Sequence, residues 1–446
     1  MLKIGWPIIT IVLIIVVGVI SGIAGYMAGL GHVEEATPTY KPPEKIKVAW
    51  VYVGPIGDYG WTYMHDVGRR KAEEVFKEWL ITKCVEGVSE EKAKEVIERL
   101  IGEGFTVIFT TSFDHMDATY EEALKHPDIM FFHCSGYKRA PNMATYFADL
   151  YQIYYLNGLM AGALTKTGKI GYVAAHTIPE VVRHINAFAI GAKEVGEQLG
   201  KKIEVYVIEI GAWYAPEKAR EAARTLIDHY GCDVIAFTED SPAIIELAES
   251  YYKQGKPVYV FSHYSPMYKF GPDVVVSGQL VRWEVIYIDI LAKIKAGIYR
   301  PGVLENVDYW YLLNTGAVEL GCEIYPNGSV MVINPKFIPM LKNIIVKDKL
   351  TGRKLSVYDL IMLRYMQMKE APLLAALQGT AVTHKYESMP GYAPIFDPFT
   401  GPLTGYKKDN PKEKVSIPSG VRLGHDELWN MDWFVDWVIY KGKLGK

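Results

Sequence analysis

The chain predicts an α/β fold in which two doubly wound parallel-sheet lobes are joined by a multi-strand hinge, and three observations predict it. Between Ile46 and Gly278, short apolar, β-rich runs alternate with segments of helical periodicity. Strict alternation of this kind implies βαβ crossovers and mostly parallel sheet. The runs are too many for one sheet, and the rhythm breaks at Pro141–Gln152 and again after Val274–Ser277. Each break reads as a crossing between lobes, so the expected division is 46–148 with about 280–315 for lobe 1, 149–279 for lobe 2, and 316–446 as an extension completing them.

Taken in order, the first element is Ile4–Leu30, 27 residues without a charge and preceded only by Lys3. As a helix it is long enough to span a hydrocarbon core of roughly 30 Å, and longer than the apolar part of a cleavable signal peptide. It predicts an uncleaved transmembrane anchor that leaves the rest of the chain outside the cytoplasmic membrane. Residues 31–45 are poor in apolar side chains and carry Pro38, Pro42 and Pro43, which describes an extended linker. Strands follow at Val48–Val53, Thr106–Thr111, Ile129–His133, Ile170–Ala174, Ile203–Ile210, Val234–Phe237 and Val258–Phe261. The loop after the first strand presents Asp58 and Trp61 just ahead of a helix beginning near Thr62, at the edge of the sheet where open α/β folds bind ligands. Further helices are expected at Ile153–Leu164, Trp283–Lys295 and Val357–Lys369. Trp429, Trp433 and Trp437 recur every four residues in Asp426–Tyr440, which predicts a terminal helix packing one aromatic face on a lobe.

Composition removes several function classes. With 446 residues, half of them hydrophobic, a large core is feasible; a net charge of −3 with 22% charged residues offers no basic footprint for nucleic acid. Cys84, Cys134, Cys232 and Cys322 are widely spaced and contain no CxxC pair, so neither a zinc site nor a particular disulfide is expected. Asn327-Gly328-Ser329 fits the glycosylation pattern, a weak hint. Gly162–Ile170 resembles a phosphate-binding loop but has the wrong glycine spacing, Ile170 in place of Ser or Thr, and a helix before the strand. No His-Glu-x-x-His, Gly-x-Ser-x-Gly or Gly-x-Gly-x-x-Gly occurs, and no cofactor is implied.

Polar and aromatic residues gather instead where expected strands end. The candidate ligand-binding set is Asp58, Trp61, Ser112, Phe113, Ser135, Trp213, Tyr214, Asp240, His263 and Tyr264. Rings supply stacking faces and carboxylates accept from N–H or O–H groups, so ligand binding needs no catalysis here. Each residue also has an ordinary reading: Asp58 and Asp240 as helix caps, Trp213 as core.

These residues lie in motifs that resemble the basic membrane protein (BMP) family of substrate-binding proteins for ABC transporters. The motifs are Tyr52–Trp61 with His65–Arg69, Thr111–Asp117, Gly136–Asn142, Ile178–Phe188, Trp213-Tyr214 and Thr238–Pro242, and the likeness extends from about Ile46 to Leu320. Phe399-Thr-Gly-Pro402 resembles the family's closing motif, whereas residues from about 346 to 390 have no counterpart. The resemblance implies a type I periplasmic-binding fold and a purine nucleobase or nucleoside as ligand. It implies that Trp61 and Trp213 sandwich the base while Asp58 meets its polar edge. It also implies ABC permease and ATPase subunits as partners. Two departures stand out. The family's carboxylate after the strand ending at Phe261 is replaced by Ser262-His263-Tyr264-Ser265-Pro266, and Gln279-Leu280 stand where some members place a basic residue. Both weigh toward a free base or an altered ligand. The competing readings are a surface hydrolase of nucleosides or glycans using Asp58 and Asp240 as an acid/base pair, and a ligand-binding sensor.

Overall fold

The computed structural model describes residues 40–370 and 396–445. The expected anchor at 4–30, most of the 31–45 linker and part of the expansion at 346–390 lie outside the described residues. Among those described, no helix is long and apolar enough to cross a membrane.

Strand and helix alternate from the start: β1 (Ile46–Val51), α1 (Trp61–Val75), β2 (Leu80–Val85), α2 (Glu90–Gly102), β3 (Val107–Thr110), α3 (Met116–Lys125), β4 (Met130–Cys134) and β5 (Met143–Ala148). Beyond Asp149 come α4 (Tyr151–Leu164), β6 (Lys169–Ala174), α5 (Pro179–Gly196), β7 (Glu204–Glu209), α6 (Pro216–Arg224), β8 (Val234–Phe237), α7 (Ala243–Lys253), β9 (Tyr259–Ser262) and β10 (Val275–Val281). The chain continues through α8 (Trp283–Lys295), β11 (Asp308–Tyr311) and β12 (Val318–Leu320), then two small hairpins, β13 (Glu323–Ile324) with β14 (Val330–Met331) and, after α9 (Ile338–Asn343), β15 (Ile345–Lys347) with β16 (Lys354–Ser356). It closes with α10 (Val357–Lys369), β17 (Leu403–Lys407), β18 (Lys414–Ile417), α11 (His425–Trp429), β19 (Trp433–Val435) and β20 (Val438–Lys443).

Two large sheets result, ordered β11-β5-β4-β3-β1-β2 and β12-β10-β9-β8-β6-β7-β20. All pairs are parallel except β12 on β10. The chain passes between the sheets three times, at Asp149, at Arg282 and across 312–317. Central strands are buried on both faces, as helix-covered parallel sheets require. In β1, Val48 and Trp50 face one helical layer while Ala49 and Val51 face the other. Trp50 stacks on Phe109 with centroids 4.8 Å apart and meets Tyr287 of α8 edge-on.

The extension is packed into the second lobe. Every residue of α4 is buried, because α10 and the segment around Phe396 cover the side of α4 that α5 and the sheet leave open. Fully buried Arg364 of α10 ties the layers together, reaching Glu194 on α5 at 3.3 Å, Tyr155 Oη on α4 at 3.4 Å, and Asp348.

The sequence reading needs two corrections. Pro141–Gln152 is not simply a crossing, since Met143–Ala148 is a fully buried strand of the first sheet and the chain leaves only at Asp149. Trp429, Trp433 and Trp437 do not share a helix. Trp429 ends α11, Trp433 opens β19, and Trp437 lies in the turn before β20. A four-residue spacing also returns to one face of a strand, so the period alone did not discriminate.

Candidate functional site

The loop after β1 turns through Tyr59, whose φ is +58°, into α1. Asp58 is buried and its carboxylate accepts N–H bonds from Gly60 (2.8 Å), Thr62 (3.0 Å) and Tyr63 (3.0 Å). Burial raises its pKa against these bonds. It therefore caps the helix and turns Trp61 toward the second lobe.

Trp61 is only 6% exposed. Its indole N–H donates to the Thr111 carbonyl at 2.5 Å, and its ring meets His65, Tyr264 and Trp283 edge-on. The first sheet also contributes Ser112 and Phe113 after β3 and Ser135 after β4. The second contributes Trp213 after β7, Asp240 after β8 and Tyr264 after β9. These residues, with Val53 and Glu180, line one small cavity between the lobes. A neighbouring cavity shares Phe113, Ser135 and Glu180 and runs toward Arg183 and Trp429.

The lobes touch across this cavity. The Trp61 backbone N–H donates to Asp240 Oδ1 at 3.2 Å, the Trp213 indole N–H donates to Asp114 Oδ2 at 3.1 Å, and the Ser265 hydroxyl donates to the Tyr59 carbonyl. Tyr59 packs edge-on against Phe270 beneath the Lys269 ammonium. Gly60 makes the approach possible, because a Cβ there would stand 2.8 Å from Asp240 Cα. Among the described residues, the non-glycine positions with positive φ are Tyr59, Ser135 and Tyr264, all in cleft loops. Strain of this kind gathers where surrounding structure holds a site in shape.

Acidic groups dominate the electrostatics. Burial pushes Glu180 and Glu239 up to about 7 each. Burial, then the neighbouring Asp58 and Glu239, hold Asp240 well above the usual carboxylate range. Glu180 receives the Tyr264 hydroxyl at 3.3 Å, while Glu239 binds the Ala215 N–H and the Ser241 hydroxyl. The nearest guanidinium, Arg183, is committed to Asp149 at 2.8 Å and to the Leu428 carbonyl at 2.5 Å.

Of the ten candidates, seven line the cavity: Trp61, Ser112, Phe113, Ser135, Trp213, Asp240 and Tyr264. Asp58 sits behind Trp61 with its oxygens occupied. Tyr214 is not among the lining residues and is 44% exposed. His263 lies beneath Tyr264, fully buried, with Nδ1 2.8 Å from Tyr154 Oη and 3.2 Å from Gln279 Oε1. Glu180 was missed. It occupies the first turn of α5 after the β6 loop, a strand end for which no site residue was expected, and a Glu beside Pro179 also reads as an ordinary helix start.

The Bmp family pattern, described as ABC transporter substrate-binding protein PnrA-like, matches residues 45–350. A purine-binding protein of Brucella abortus is 36% identical over 304 residues, 68% of this chain and 80% of its own length. A Haloferax volcanii protein, whose name provisionally gives it glucose binding for an ABC transporter, is 36% identical over 273 residues, 61% of this chain and 66% of its own. Among solved structures, an ABC transporter solute-binding protein from Aeropyrum pernix K1 superposes with a TM-score of 0.56 at 18% identity, covering 62% of this chain and 76% of that one, a likeness of fold alone.

Proposed function

The chain belongs to the Bmp family of PnrA-like ABC transporter substrate-binding proteins, and from that premise we propose that it closes its two lobes around a purine nucleobase or nucleoside and presents it to an ABC permease and its ATPase. The observation that carries this is the cavity itself, where Trp61, Phe113, Trp213 and Tyr264 surround the carboxyls of Glu180 and Asp240 with no uncommitted cation among the lining residues. Flat rings favour a flat ligand. A carboxyl whose pKa is raised toward neutrality can accept from an N–H or, protonated, donate to a ring nitrogen, which suits the alternating edge of a purine. The acidic lining disfavours phosphorylated nucleotides through like-charge repulsion. We assign the work to binding rather than chemistry, with residues 4–30 as the tether that keeps the domain at the outer membrane face, and with 46–148 and about 280–315 moving as one lobe against 149–279.

Thermal-shift and calorimetric titration with adenine, guanine, adenosine, guanosine, inosine, AMP and glucose tests the reading. A purine or its nucleoside should stabilise the protein and AMP should not. Stabilisation by glucose alone would overturn the assignment.

A further inference from the structure

On the outer face of the first lobe, away from the cleft, α2 and α3 lie side by side. Among the described residues, one group of three metal-type ligands converges, and it lies here: Glu98 of α2, Glu122 of α3, and His126, which ends α3. We propose that these three side chains bind a divalent transition ion of zinc type.

Four observations carry it. Glu122 is fully buried, and its Oε2 has no hydrogen-bond partner. A bare carboxylate oxygen in that position is costly unless a cation or proton meets it. His126 Nε2 is likewise buried without a hydrogen bond. It stands 3.4 Å from Glu98 Oε2 and 3.5 Å from Glu122 Oε2. Those separations are long for a charge-assisted N–H···O bond of about 2.7–2.9 Å. They match the edge of a tetrahedron built on zinc–ligand bonds of about 2.0–2.2 Å, which is roughly 3.4 Å.

The arrangement of the remaining oxygens is the fourth observation. Lys125 Nζ lies 2.7 Å from Glu122 Oε1 and 3.4 Å from Glu98 Oε1. The lysine thus takes the outer oxygen of each carboxylate and leaves both inner oxygens turned toward the imidazole, the role of an outer-shell partner that aims metal ligands. Two carboxylates and one ammonium leave a net negative site. One imidazole with two carboxylates suits zinc, and the single nitrogen with few oxygens is a poor calcium set. Water would complete the coordination. The ion would join α2 to the carboxyl end of α3, whose opposite end follows directly from Phe113 at the cleft.

The test uses the purified, tag-free full chain after chelator treatment, with Zn²⁺ alone as the probe and a chromogenic chelator as competitor. One equivalent should bind, and it should raise the melting temperature. Glu98→Gln and His126→Ala alter partly exposed side chains and keep the fold, so each should weaken binding by at least about tenfold and abolish the thermal shift. Co²⁺ should give a visible absorption band in the native chain that both variants lose. No binding by the native chain would overturn the proposal, and so would native-like affinity in both variants, because the ion would then sit elsewhere.

Discussion

Closure of the cleft turns on a missing side chain, and Gly60→Ala exposes the dependence. The added methyl would lie 2.8 Å from Asp240 Cα, 2.9 Å from its Cβ and 3.0 Å from Oδ1. Two of those atoms belong to or hang rigidly from backbone, so no side-chain rotation relieves the overlap, and the lobes must part by several tenths of an ångström. Overpacking of this size costs about 1–3 kcal/mol, and the same movement stretches the bond from the Trp61 N–H to Asp240. Taking about 2 kcal/mol as the loss, and with ligand held in the closed state, affinity should fall about thirtyfold. The open state lacks the contact, so the melting temperature without ligand should stay near native. Gly57→Ala supplies the control, since a Cβ there meets nothing within 4 Å. Calorimetric titration with the purine that binds the native chain reads the affinity, and small-angle scattering reads closure. Native affinity in Gly60→Ala would refute the reasoning, as would an equal loss in Gly57→Ala.

Glu180 carries a pH signature. Its folded pKa of about 7 exceeds the ordinary 4.5, so between those values the folded chain holds a proton that the unfolded chain has released. Its stabilising share is complete below about 4.5 and lost as pH rises through about 7. The melting temperature of Glu180→Gln minus that of the native chain should therefore climb from pH 5 to pH 8, and a flat difference would reject the assignment. Arg183→Met strands the buried Asp149 carboxylate, which burial pushes up and Arg183 pulls down. A loss of about 3–5 kcal/mol is expected in urea unfolding, and a loss under about 1 kcal/mol would show that the pair is dispensable. Trp213→Ala should lower ligand affinity with little change in melting temperature. Trp61→Ala should lower both, since its buried ring is worth about 3–5 kcal/mol; equal behaviour of the two would contradict their different burial.

Much of the architecture was legible because central strands of a parallel sheet are apolar on both faces and stand out as runs. The strands that escaped are those that break this rule. β2 lies at the sheet's edge, half-exposed, with Thr82 and Lys83 in its middle. β5 is buried but carries Thr145 and follows Pro141-Asn142, which read as a connection. β20 was hidden by the tryptophan spacing. In the site, strand ends pointed to seven lining residues because topology, rather than any one side chain, gathers them. Asp58 looked free because a helix cap and a ligand contact demand the same residue type at the same place. Glu180 was passed over for the converse reason, a site residue dressed as a helix start.

The order of strands has a consequence for how the chain is made. β11 joins the first sheet only after strands β6 to β10 of the second have been laid down, and β20 closes the second beside β7, with Tyr440 bonded to Glu209 from 231 positions away. During synthesis both β5 and β7 therefore wait as bare edges with unsatisfied backbone groups, the kind of surface that recruits neighbouring chains. Long-range parallel pairing is also slow to form. Quality control should thus concentrate on the last stretch of the chain. Loss of residues 433–445 would leave the cleft residues in place on paper, yet yield a protein that clumps before it can ever meet its ligand.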